Sequence, residues 1–107
     1  DLMIPVVKEL AAHASVPVIA NPNAGLPETD ADGNLFYTVT PEQFADEMRE
    51  MVIAGATVIG GCCGTTPDYL KATVRATRDM VYRLPQSFFY NICAKQRISL
   101  IFSFFYL

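Results

Sequence analysis

Residues 56–67 have the sequence Ala-Thr-Val-Ile-Gly-Gly-Cys-Cys-Gly-Thr-Thr-Pro, and this stretch decides the fold. Its first four residues are small or β-branched and predict a short strand buried on both faces. Thr66-Pro67 predicts the start of a helix, because threonine can cap a helix and proline fits its first position. A strand that turns directly into a helix is typical of a βα unit, and α/β folds place their active sites at such turns.

The same alternation of helix and strand continues on the amino-terminal side of this stretch. Apolar residues at helical spacing predict a helix within residues 2–14, and the run Val16-Pro17-Val18-Ile19-Ala20 predicts another short buried strand. The predicted order is helix, strand, helix, strand, helix, which favours parallel βα units. Two strands alone do not make a stable sheet, so these units are expected to belong to a larger α/β fold.

The middle helix has the clearest boundaries. Thr40, Pro41 and Gln43 predict a capping box with proline at the first helical position, and Gly55 suits the end of the helix. Its predicted buried residues are Phe44, Met48, Met51 and Val52. In the last helix, Leu70, Val74 and Val81 are predicted to face inward, and Thr65 and Thr66 to cap its start. The polar, glycine- and proline-containing segment 21–39 is predicted to be a long loop.

Cys62 and Cys63 are the residues on which a chemical function depends. In an extended strand their side chains would point to opposite faces, so they can share a metal only if the backbone bends sharply. Gly60, Gly61 and Gly64 are predicted to form this bend, since glycine adopts positive φ without steric cost. Two thiolates would make half of a zinc site. A redox pair, or two inert cysteines in a packed turn, fits the same spacing.

Composition excludes some functions. With 107 residues the chain can form one ordinary domain, and its net charge of −3 with scattered basic residues gives no indication of a nucleic-acid partner. Three cysteines, two of them adjacent, favour a reducing and therefore cytoplasmic environment over a disulfide framework.

The last part of the chain, residues 84–107, has a different composition. All eleven acidic residues lie at or before Asp79, whereas seven of the twelve aromatic residues lie between Phe88 and Tyr106. The final ten residues are almost wholly apolar but too few to span a membrane as a helix, so a membrane-spanning segment is not expected and a membrane partner is disfavoured. The tail is either a membrane-interface or partner-docking segment, or a sequence foreign to the preceding domain. We therefore divide the chain into a domain over 1–83 and an atypical tail over 84–107.

Two motifs in this order resemble the homocysteine S-methyltransferase family. One is the segment 58–67 around the cysteine pair, which is similar to the family's Gly-Gly-Cys-Cys-Gly signature. The other, Pro22-Asn23-Ala24-Gly25-Leu26-Pro27, resembles the segment that follows the preceding strand, particularly in the methionine-synthase branch. The resemblance covers residues 1 to about 82. It implies that the chain is the carboxyl-terminal portion, about the last two βα units, of a TIM (β/α)₈ barrel.

The resemblance also implies a metal and a reaction. Family members hold a catalytic zinc ion with three cysteines, of which two correspond to Cys62 and Cys63. The third belongs to a Gly-x-Asn-Cys segment on an earlier strand, which is expected upstream of Asp1. Zinc would bind the thiol of homocysteine and lower its pKa, and the sulfur would then accept a methyl group to give methionine.

The remaining expectations concern substrate, cofactors and partners. Asn23 follows a strand end on the face of the cysteine turn, so it could bind substrate or orient a ligand, although an asparagine there could equally build a turn. The expected partners are homocysteine, a methyl donor and the missing amino-terminal barrel portion. Cobalamin and methyltetrahydrofolate could serve the parent protein through other domains. The fragment alone is expected to be inactive, and the alternative is a small non-catalytic metal or redox module that uses the two cysteines.

Overall fold

The computed structural model describes residues 2–82 and 84–85, which form a mixed α/β unit. The predicted order of helices and strands is confirmed, with one additional hairpin. The elements are α1 (Met3–His13), β1 (Ile19–Ala20), β2 (Pro27–Thr29), β3 (Leu35–Tyr37), α2 (Pro41–Ala54), β4 (Val58–Ile59) and α3 (Pro67–Thr77).

The two predicted apolar strands, β1 and β4, pair in parallel. Ile19 is opposite Val58 and Ala20 is opposite Ile59. Both strands are shorter than predicted, since regular pairing covers only two residues of each. The carboxyl ends of β1 and β4 therefore lie side by side, and the chain leaves both strands at the same edge of the sheet.

The core lies between this sheet and the helices, with α2 at its centre. The largest fully buried side chains are Phe44, Met48 and Met51, all from α2. The Phe44 ring meets the Tyr69 ring of α3 edge to face, with centroids 5.6 Å apart, a favourable geometry for two aromatic rings. Three of the four predicted buried residues of this helix are confirmed, whereas Val52 is only half-buried.

The boundaries of α2 are as predicted. The Thr40 hydroxyl accepts a hydrogen bond from the backbone N–H of Gln43 at 3.3 Å, and the Gln43 side chain accepts one from the backbone N–H of Thr40 at 2.9 Å. These two bonds make the capping box. At the other end Gly55 has φ of +116°, the left-handed conformation that glycine provides at a helix end.

The prediction of a structureless loop over 21–39 is wrong in its middle, where β2 and β3 form an antiparallel hairpin. The connection is closed by the Asp30 carboxylate, which accepts from the backbone N–H groups of Asp32 and Asn34 at 2.9 and 2.8 Å. Gly33 has φ of +85° and completes the turn. The polar composition predicted a loop because it identified the turn but not the two short strands that it joins.

The inward orientation predicted for Leu70, Val74 and Val81 is also wrong. All three are exposed, and the last lies beyond the end of α3. Helix α3 packs against α2, and the residue that it buries is Thr73. Two of them, Leu70 and Val74, lie on the flank of α3. Val6 and Leu10 of α1 and Leu2 just before it are exposed as well.

Most of the predicted tail lies outside the described residues. Leu84 and Pro85 are described, and they line a surface cleft together with Ala11 and Ala12 of α1 and Ile53 of α2. Within the part of the chain that the structure describes, no helix has the length and apolar character needed to cross a membrane.

Candidate metal site at the cysteine turn

The cysteine turn begins where β4 ends and is held against the segment that follows β1. The backbone N–H of Cys62 donates to the Pro22 carbonyl at 2.9 Å, and the N–H of Ala24 donates to the Cys63 carbonyl at 2.9 Å. These bonds continue the contact between the two chain segments beyond the end of the sheet. The two motifs that the sequence singled out, 22–27 and 58–67, are thereby brought together.

The two thiols lie on the same side of the turn. The Sγ atoms of Cys62 and Cys63 are 3.8 Å apart, and both residues are exposed and free of disulfide bonds. The backbone is bent as a shared metal would require. Thr65 closes the bend, since its hydroxyl donates to the Cys62 carbonyl at 2.6 Å and its N–H donates to the same oxygen at 3.3 Å.

The predicted capping role of Thr65 is therefore wrong, whereas Thr66 has the predicted N-cap position. Thr65 closes the cysteine turn and does not cap α3. Thr66 occupies the N-cap position of α3 but makes no capping hydrogen bond with its side chain. Its extended backbone, together with Pro67, still starts the helix at the predicted place.

The three glycines of the turn are needed for two different reasons. Only Gly64 has the predicted positive φ, at +78°. Gly60 and Gly61 do not, which corrects the prediction that all three supply positive φ. They are needed for space, because a Cβ at Gly60 would collide with the side chain of Asn21 and one at Gly61 with that of Thr65.

Asn23 is directed toward the turn. Its side-chain oxygen accepts a hydrogen bond from the backbone N–H of Cys63 at 3.1 Å. The carboxamide thus fixes the backbone of one thiol residue. Whether Asn23 also binds substrate stays a prediction.

The thiols influence each other electrostatically. The pKa of Cys63 is raised, first by its hydrogen bond with Cys62 and then by the charge of that neighbour. Two adjacent thiolates repel, so one ionised sulfur disfavours ionisation of the second. A cation in contact with both sulfurs would remove this penalty, because it favours the ionised form of each.

The separation of the sulfurs fits a single tetrahedral metal ion. Two thiolates bound to one zinc ion at Zn–S distances of about 2.3 Å lie roughly 3.8 Å apart at the tetrahedral angle. The observed distance is 3.8 Å. Within residues 2–82 and 84–85 no group of three histidine, cysteine or acidic side chains is positioned to hold a metal. His13 lies on α1 with its Nε2 3.1 Å from the Glu9 carboxylate.

Sequence reasoning missed Tyr37, whose ring lies directly against Gly64. The residue belongs to the hairpin that was predicted as loop, so its place in the chain gave no reason to expect it near the cysteines. The available signal was the run Leu35-Phe36-Tyr37, since aromatic residues favour a strand.

The parallel strands, with a turn at their carboxyl ends that carries two neighbouring thiols, define an α/β protein whose candidate site lies at the strand ends. The particular family follows from comparison: the chain belongs to the homocysteine S-methyltransferase family, a family of enzymes whose model matches residues 1–77. The resemblance seen in the sequence is confirmed.

Among individual relatives, methionine synthase of Mycobacterium leprae is 38% identical over 71 residues, which are 65% of this chain and 6% of that protein. Methionine synthase of Mycobacterium tuberculosis is 35% identical over 75 residues, or 69% of this chain and 6% of its own length. The chain thus spans only a small part of these curated relatives.

Proposed function

We propose that this chain supplies the last two βα units of a TIM barrel that transfers a methyl group to the thiol of homocysteine, giving methionine. In this proposal Cys62 and Cys63 are two of the ligands of a zinc ion at the carboxyl ends of the strands. The observation that carries it is the placement of two free sulfurs 3.8 Å apart on the βα turn, within the segment matched by the family.

The exposed apolar face of the sheet supports the proposal that this chain is part of a barrel. Register partners on parallel strands share a face of the sheet. The partners Ala20 and Ile59 face the core. The partners Ile19 and Val58 lie on the opposite face and are 64% and 48% exposed. A sheet with two apolar faces is typical of parallel folds that are covered on both sides. We infer that further strands and side chains of the barrel cover Ile19 and Val58, and that neighbouring βα units cover the exposed flanks of α1 and α3.

The chain's own residues would bind the metal ion and orient the cysteines that hold it. Cys62 and Cys63 would hold the metal as thiolates, while Asn23 and Thr65 would fix the backbone that carries them. Zinc, when bound, would lower the pKa of a substrate thiol as a Lewis acid. Thiolate ligands would leave the site negatively charged, which favours a nucleophilic sulfur. The third protein ligand would come from outside the described residues, so that the chain alone would be inactive.

The methyl donor would be bound by other parts of the protein. Three donors remain alternatives: methylcobalamin supplied from methyltetrahydrofolate, betaine, and S-methylmethionine. A donor must approach the sulfurs from the exposed side of the turn, because its other side is occupied by the segment after β1.

Zinc titration of the purified, reduced chain tests the proposal. We expect about one zinc ion per chain, bound by Cys62 and Cys63, and we expect Cys62→Ser or Cys63→Ser to weaken binding at least tenfold. Cys93→Ser is the matched control, since it removes a thiol outside the described residues and should leave binding unchanged. Equal binding by wild type and the double Cys62→Ser, Cys63→Ser variant would refute the metal role and with it the proposed function.

A further inference from the structure

The hairpin formed by β2 and β3 is fastened to the cysteine turn, and we propose that Tyr37 is a positioning residue for the two thiols. This inference rests on the proposed function in one respect, that Cys62 and Cys63 bind a metal. Tyr37 would touch neither metal nor substrate. It would act through Gly64, the residue that follows Cys63.

The contact between Tyr37 and Gly64 is close and depends on glycine. A Cβ added to Gly64 would collide with three atoms of the Tyr37 ring. The ring therefore lies directly on the backbone of the turn, and it is itself half-buried. Gly64 also has φ of +78°, so the turn combines a left-handed residue with an aromatic ring packed on it. The ring restricts movement of the backbone beside Cys63.

The hairpin can act as a support because its stem is anchored independently. Val39, two residues beyond Tyr37, packs against Gly25, where a Cβ would collide with its side chain. The Val39 carbonyl also accepts a hydrogen bond from the Tyr69 hydroxyl of α3 at 2.7 Å. Tyr69 in turn packs edge to face on the buried Phe44. A chain of contacts thus connects Tyr37 to the core.

Support of this kind matters for a metal site with few protein ligands. Groups that orient metal ligands typically change metal affinity about 10- to 100-fold when they are removed. Here the two sulfurs must stay about 3.8 Å apart on a bend that contains three glycines and is therefore intrinsically flexible. The Tyr37 ring opposes that flexibility at Gly64, and Asn23 opposes it at the N–H of Cys63.

The test is a Cd²⁺ titration of the full chain, followed by the sulfur-to-cadmium charge-transfer absorption. Tyr37→Ala should weaken Cd²⁺ binding about tenfold or more and lower the absorption per bound ion. Tyr37→Phe keeps the ring and should restore both. Phe36→Ala is the matched control, because Phe36 is the adjacent exposed residue of β3 and its loss perturbs the same hairpin. Wild-type binding by Tyr37→Ala, or equal losses in Tyr37→Ala and Phe36→Ala, would overturn the proposal.

A second pair of variants compares a side chain at positive φ in contact with the Tyr37 ring with a side chain at positive φ that has no such contact. Gly64→Ala and Gly33→Ala both place a side chain at positive φ, but nothing lies within 4 Å of the added Cβ at Gly33. We expect Gly64→Ala to weaken Cd²⁺ binding and Gly33→Ala to leave it unchanged. Equal affinities in the two variants would contradict the role of the contact. If instead Cys62→Ser and Cys63→Ser bind Cd²⁺ as wild type does, the proposed function fails, and that failure is distinct from wild-type binding by Tyr37→Ala alone.

Discussion

Asn23 and Cys63 are 40 positions apart in the chain, yet the side chain of one fixes the backbone of the other. The sequence indicated that both residues follow strand ends on one face of the sheet, and this much was predictable from the order of elements. The hydrogen bond from the Cys63 N–H to the Asn23 side chain was not predictable. Whether an asparagine builds its own turn or reaches a neighbouring segment depends on how the two segments lie, which a local pattern does not encode.

Removal of this hydrogen bond should weaken metal binding. Asn23→Ala takes away the acceptor for the Cys63 N–H, and we expect zinc affinity to fall about tenfold, the lower end of the effect of a ligand-orienting group. Competition with a chromophoric chelator would measure it. Asn21→Ala is the matched control, because Asn21 lies beside Gly60 and not at a cysteine. Equal affinities for the two variants would show that Asn23 does not orient the thiol.

Helix boundaries were the most predictable elements because they depend on neighbours in sequence. The capping box of α2 and its end at Gly55 follow from residue types at fixed spacing. The hairpin was missed because its strands are three residues each, too short for an alternating pattern to stand out. The inward face of α3 was mispredicted for another reason. Apolar spacing shows that a face is to be buried, but not whether its neighbour belongs to the same chain segment.

The two threonine N-caps should differ in their contribution to stability. Thr40→Ala removes the side-chain acceptor of a complete capping box and should lower the free energy of unfolding by about 1 kcal/mol. Thr66→Ala removes a side chain that makes no capping hydrogen bond, so we expect a change below about 0.5 kcal/mol. Urea denaturation of both variants measures the difference. A loss at Thr66 as large as that at Thr40 would contradict the assignment of the caps.

The hairpin should be sensitive to acid. Hydrogen bonds from Asn34, first from its side chain and then from its backbone, lower the pKa of Asp30. A folded-state pKa below the unfolded value of about 3.9 means that the stabilisation is present above that pH and is lost as the pH falls through the folded pKa. Amide exchange at Asn34 should therefore accelerate on acidification below about pH 4, relative to the exchange of an unstructured peptide.

Two variants test the origin of this acid sensitivity. Asp30→Ala should show weak protection of Asn34 at every pH, because the acceptor is absent. Asp32→Asn keeps the backbone N–H that donates to Asp30 and should behave like wild type. Protection of Asn34 that does not change with pH in wild type would rule out the Asp30 carboxylate as the closing group.

The molecule as a whole exposes apolar surfaces on its sheet and on two of its helices. Helices cover one face of the sheet, and Ile19 and Val58 are exposed on the other face. Helices α1 and α3 also expose apolar residues on their flanks. The need for missing neighbours was predictable from the presence of only two buried strands. The identity of those neighbours was not, because no pattern within the chain specifies which segments would cover Ile19 and Val58. The match to proteins of which the chain covers 6% is consistent with this incompleteness.

The central claim is that Cys62 and Cys63 together hold a zinc ion that accepts the thiol of homocysteine. X-ray absorption at the zinc edge, on the zinc-loaded chain before and after addition of homocysteine, tests it most directly. We expect two sulfur neighbours at about 2.3 Å before addition and three after it, with no change when homoserine is added instead. A sulfur count that stays the same on addition of homocysteine, or that is unaltered in Cys62→Ser and Cys63→Ser, would contradict it.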